Sequence, residues 1–151
     1  MTNRLFRRAA AVVVAAVLGG GVALAAASPA QAATTCKHGE NTVASPTGGA
    51  GATAAAGICI DSTGHAWIDW YDYNYVKDRK ADGYAARAYV YWSTRYTGAI
   101  AVDDTSTSQG ASLSWESSGG TQYRWTEVWV CLGFAHPDDG SGRCALVVYH
   151  T

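Results

Sequence analysis

Tyr84-Ala85-Ala86-Arg87-Ala88-Tyr89-Val90-Tyr91-Trp92-Ser93-Thr94-Arg95-Tyr96 alternates. Ala86, Ala88, Val90 and Trp92 fall on one side, and Arg87, Tyr89, Tyr91, Ser93 and Arg95 on the other. A period of two, carried by aromatic and β-branched residues, predicts a strand with one apolar face and one partly wet face.

The runs around it read as its partners. His65–Tyr73 alternates too, with Ala66, Ile68 and Trp70 against Trp67, Asp69, Tyr71 and Tyr73. A polar loop over 74–82 joins it to the first run, which predicts a long-looped hairpin. Gln122–Leu132 is a third alternating run, with Thr126, Val128, Val130 and Leu132 set against Trp125, Glu127, Trp129 and Cys131. Shorter strands are expected at Ile58–Asp61, Ala99–Val102, Ala111–Glu116 and Cys144–Tyr149. Beyond residue 32 no segment holds a 3.6-residue apolar period. Short runs separated by Gly- and Ser-containing turns predict an all-β fold, a small antiparallel β-sandwich of about seven strands.

Residues 1–32 read as a secretory signal peptide. Arg4, Arg7 and Arg8 form a basic start, Ala9–Ala27 is apolar, and Ala30-Gln31-Ala32 fits a small-x-small cleavage site. Residues 33–57 are rich in Gly, Ala and Thr and are expected to form a flexible segment. Residues 58–151 are expected to be the sandwich domain. Without Arg4, Arg7 and Arg8 the eleven Lys and Arg fall to eight against twelve Asp and Glu, a formal net charge of −4. Neither nucleic acid nor, after signal cleavage, a membrane is an expected partner. The expected location is secreted and extracellular.

All four cysteines, Cys36, Cys59, Cys131 and Cys144, lie beyond residue 32. An even count in an exported chain predicts two disulfides. Of the three pairings, Cys36–Cys59 with Cys131–Cys144 is preferred because each closes a loop without crossing the core. There is no C-x-x-C spacing, so neither a metal site nor a cofactor is expected. His38, His65, His136 and His150 each stand alone in sequence, no nucleophile elbow or zinc-protease motif occurs, and no catalytic residue is nominated. Asp103-Asp104 and Asp138-Asp139-Gly140 read as turn formers.

The six Trp and nine Tyr are the unusual feature. If the first two long strands pair, Trp67, Tyr71 and Tyr73 stand beside Arg87, Tyr89, Tyr91 and Arg95. Rings mixed with arginines on a wet sheet face have the composition of a recognition surface. The expected function is therefore non-enzymatic binding of an extracellular macromolecule, chiefly a protein, as an inhibitor or an adaptor subunit. A polysaccharide held by exposed Trp and Tyr rings is the alternative, and a small secreted hydrolase the second alternative. In outline, with four cysteines and about 120 residues after the signal, the chain is similar to small exported protease and amylase inhibitors of high-GC Gram-positive bacteria. No functional residue is carried over from that likeness.

Overall fold

The computed structural model describes residues 33–70, 73–92, 94–106, 109–118 and 125–151. They form ten strands: β1 (Thr34–Ala44), β2 (Ala50–Asp61), β3 (Ala66–Ile68), β4 (Tyr75–Asp78), β5 (Ala86–Trp92), β6 (Arg95–Tyr96), β7 (Ala101–Asp103), β8 (Ala111–Ser112), β9 (Thr126–Leu132) and β10 (Cys144–His150). A single 3-10 turn spans Pro137–Asp139. The first sheet has the order β1-β2-β4-β8, with β3 also on β2; the second has the order β10-β9-β5-β6, with β7 also on β5. Every pairing is antiparallel. The all-β expectation holds. The strands beyond the expected set are β1 and β4, which lie in stretches that read as a flexible segment and a polar loop, and β6, which is only two residues long.

The core is what alternation dictates. From the second sheet Ala86, Ala88 and Val90 of β5 and Val128, Val130 and Leu132 of β9 point inward and are fully buried. From the first sheet they meet Ala52, Ala54, Ala56 and Ile58 of β2 and Val76 of β4. Leu113 is buried and Trp115 packs on the same core.

Residues 33–57 correct the expectation of a flexible segment. They hold β1 and eight of the twelve residues of β2, and β2 is an interior strand that carries much of the core. Small residues are used here for close approach. A Cβ at Gly39 would collide with the Val147 carbonyl oxygen, and one at Gly51 would stand 2.9 Å from Ser45 N and 3.0 Å from Leu132 Cδ2. Even the methyl group of alanine at these two glycines would push the packed segments apart, so a composition that reads as a linker builds the sheet centre.

The long hairpin is also corrected. β3 pairs with Ile58–Ile60 of β2 in the first sheet, while β5 pairs with β6, β7 and β9 in the second. β2 is long enough to take β4 along Ala52–Ala55 and β3 along its far end. The chain then crosses to the other sheet before β5 begins. Trp70 lies beyond the end of β3 and is exposed, not inward-facing.

Both disulfides join the expected partners, Cys36–Cys59 and Cys131–Cys144, and no cysteine is free. Each links directly opposed residues of neighbouring strands. The fold belongs to an oxidising setting. Among the described residues no helix is long and apolar enough to cross a membrane.

Candidate functional site

Strand register decides which side chains share the outer face of the second sheet. Directly opposed residues point the same way, so the pairs Tyr89–Trp129 and Tyr91–Glu127 of β5 and β9, and Tyr91–Tyr96 of β5 and β6, put five side chains on one surface. Tyr91 stacks on Trp125 with centroids 4.9 Å apart and planes 19° from parallel. Trp125 meets Tyr149 of β10 at 6.2 Å. Tyr96 meets Tyr91 edge-on at 4.6 Å and Trp129 at 6.4 Å. The Trp129 indole N–H donates to Glu127 Oε2 at 2.6 Å, which fixes that ring. The result is a continuous run of rings across β10, β9, β5 and β6.

The turn after β9 folds over one end of this run. His136 caps its 3-10 turn and sets its ring edge-on to both Tyr89 and Tyr96, at 5.0 and 5.2 Å. Tyr89 is left only 7% exposed, in a small cluster with Cys131 and Ala135. It is a packing residue, which corrects its expected exposure. The Tyr96 hydroxyl is pushed up to about 12 by burial first, then by Glu127, Asp138 and Tyr91. Tyr91, Trp125 and Trp129 remain half-buried, and Tyr149 is 45% exposed.

The seven expected contact residues do not form one surface. Arg87, Tyr89 and Tyr91 share the outer face of the second sheet. Trp67 lies on the first sheet, stacked on His65 at 5.2 Å. Tyr73 is 94% exposed beside Tyr75, Lys77 and Arg79 in a groove of about 580 Å³. Tyr71 lies outside the described residues. Arg95 departs for a local reason: the chain reverses after Trp92, so Arg95 is opposed to Trp92 and shares its side, not that of Tyr91. Trp92 and Arg95 line a pocket of about 430 Å³ with Trp115 and Glu116. Among the described residues the Trp92 Nε1 is the only buried side-chain polar atom without a hydrogen-bond partner.

Arg87 leads to a feature that the sequence did not suggest. Its Nε donates to the Gly133 carbonyl at 2.7 Å, and its guanidinium lies 4.8 Å from the centroid of Phe134. Phe134 is 92% exposed. Both residues line a cleft of about 780 Å³ with Tyr84, Asp78, Asp104 and Thr105. A phenylalanine placed in the turn between β9 and β10, where core packing does not need it, is the sequence signal that could have found this site.

His65 Nε2 faces Glu116 Oε1 at 2.9 Å, His136 Nδ1 accepts the Asp138 main-chain N–H, and both ring nitrogens of His150 face main-chain carbonyls. These three rings are engaged by acids or backbone. The Sγ atoms of Cys36 and Cys59 and an Asp69 oxygen lie within 4.8 Å of one another, but the sulfurs are already bonded to each other. No family model, curated protein or solved structure matches the chain.

Proposed function

We propose that this chain is a secreted, non-catalytic binding domain that recognises an extracellular protein through the outer face of its second sheet. Residues 1–32 serve as the signal peptide, and the partner is met outside the cell, where the two disulfides persist. The observation that carries the reading is the linked run Tyr149–Trp125–Tyr91–Tyr96–Trp129, partly open to solvent across four strands. Such rings combine large apolar area with polar tips and lose little side-chain freedom on binding. Tyr91 and Trp125 cover each other's faces, and Tyr96 stands edge-on. What they offer is a broad surface of edges and hydroxyls, suited to a protein and not to a sugar that needs a free ring plane. Leu146, also exposed on β10, extends the apolar part.

The test is capture from native culture supernatant with the tagged exported chain, identified by mass spectrometry, run in parallel with Tyr149→Asp. A protein retained by the wild type and lost from the folded variant is the expected result. A partner held equally by both would place the interface elsewhere and defeat the reading.

A further inference from the structure

We infer that the cleft lined by Asp78, Arg87 and Phe134 is a binding site for a neutral saccharide, separate from the aromatic sheet face. The reasoning starts with Asp78. It is only 4% exposed, yet it lines the cleft. Its Oδ1 accepts the Lys80 main-chain N–H at 2.9 Å, while Oδ2 has no donor among the described residues. Among the described residues only Trp92 Nε1 is fully buried without a partner, so Asp78 Oδ2 is open to the cleft and can accept a hydrogen bond from a bound molecule. The neighbouring Lys80 does not supply it: its Nζ is held by the carbonyls of Thr47 and Gly48 at 3.2 and 2.7 Å.

Arg87 presents the complementary need. One nitrogen is bound to Gly133 O, and its two terminal amino groups have no acceptor among the described residues. The guanidinium is nonetheless fixed, because the Gly133 bond and the Phe134 ring hold it from two sides. The cleft therefore offers one acceptor, a positioned set of donors, and an aromatic ring with an open face. It also contains Asp104. With Asp78 and Asp104 set against Arg87 on the lining, neither a simple cation nor a simple anion meets all of its groups.

A pyranose meets all of these conditions at once. Each hydroxyl is both donor and acceptor, so adjacent hydroxyls can donate to Asp78 and accept from Arg87. The C–H face of the ring packs on Phe134. The volume lies within the range of small-molecule sites, and the exposed phenylalanine leaves the ends open for a longer chain.

The experiment is a titration of the isotope-labelled protein with cellohexaose, xylohexaose and chitohexaose, and with hexalysine and hexaalanine peptides, followed by amide chemical shifts and calorimetry. At least one of the saccharides is expected to bind saturably and to shift amides at 78–87, 104–106 and 133–134. Phe134→Ala, at an exposed position that leaves folding intact, and Asp78→Asn are each expected to weaken binding about ten-fold or more. Tyr149→Asp is expected to leave it unchanged, which separates this site from the protein-binding face. Absence of binding by all three saccharides, cleft shifts produced by a peptide instead, or full affinity in Phe134→Ala would overturn the assignment. If Asp78→Asn fails to fold, Phe134→Ala decides alone.

Discussion

The Asp103 carboxylate accepts the main-chain N–H of Asp78 at 2.9 Å, and both residues are buried. Asp78 ends β4 in the first sheet and Asp103 ends β7 in the second, so this bond ties the two layers together beside the cleft. Asp103 Oδ1 also accepts the Thr105 N–H and hydroxyl, each at 3.1 Å. Asp103→Ala leaves buried donors unmet and should cost about 3 kcal/mol, whereas Asp103→Asn keeps one acceptor and should cost less. Urea denaturation of the two variants checks the order.

Tyr89 and Tyr149 lie on the same sheet face with opposite fates. Tyr89 is covered by the His136 turn, so Tyr89→Ala should destabilise by about 3 kcal/mol through the cavity it leaves. Tyr149→Ala should stay within about 0.5 kcal/mol of wild type. Equal losses at both positions in thermal melts would show that the covering turn contributes nothing.

Gly39→Ala tests the seam between β1 and β10. The added Cβ meets the Val147 carbonyl oxygen, a backbone atom that cannot swing away. A loss of about 1–3 kcal/mol is expected, with the strongest changes in amide exchange along β1 and β10. Gly98→Ala, where a Cβ meets open space, is the matched control and should be near neutral.

The Cys131–Cys144 bond closes a separation of 13 residues beneath the β9–β10 turn. Replacing both cysteines by alanine should lower stability by about 3 kcal/mol in the chain-entropy picture. It should also loosen the turn that carries His136 and Phe134. Loss of saccharide-dependent shifts at 133–134, with the sheets still folded, would be the structural signature.

Alkaline stability should depend on Tyr96. Its hydroxyl ionises at about 12 in the fold against 10.0 for an ordinary tyrosine, chiefly because burial disfavours the phenolate. The fold thus prefers the protonated form. Its contribution is fully present below pH 10 and is lost as pH rises through about 12. Tyr96→Phe cannot ionise and should lose less stability across that window than wild type does, as read from denaturation midpoints. An identical decline in both proteins would remove Tyr96 as the cause.

The aromatic face was only partly legible in sequence. Alternation placed Arg87, Tyr89 and Tyr91 together on one side of β5, and the structure keeps them there. It could not show that Tyr89 is roofed by a turn from residues 133–140, because burial of an outward residue depends on where a distant loop folds. Nor could it place Trp67 on a different sheet. Any strand edge will hydrogen-bond any other, so alternation names a strand's faces but not its neighbours.

Local pattern was enough for the strand character of β5 and β9, the inward set Ala86, Ala88, Val90, Val128, Val130 and Leu132, and a pair of short-range disulfides. Those follow from the two-residue repeat of extended backbone and from cysteine spacing, properties that a chain carries before it folds. The central role of the Gly- and Ala-rich β2, the separation of β3 from β5, and the meeting of Asp78, Arg87 and Phe134 at one cleft came only from the tertiary arrangement. Each depends on how closely segments far apart in sequence approach, and that distance is set by the packing of the whole.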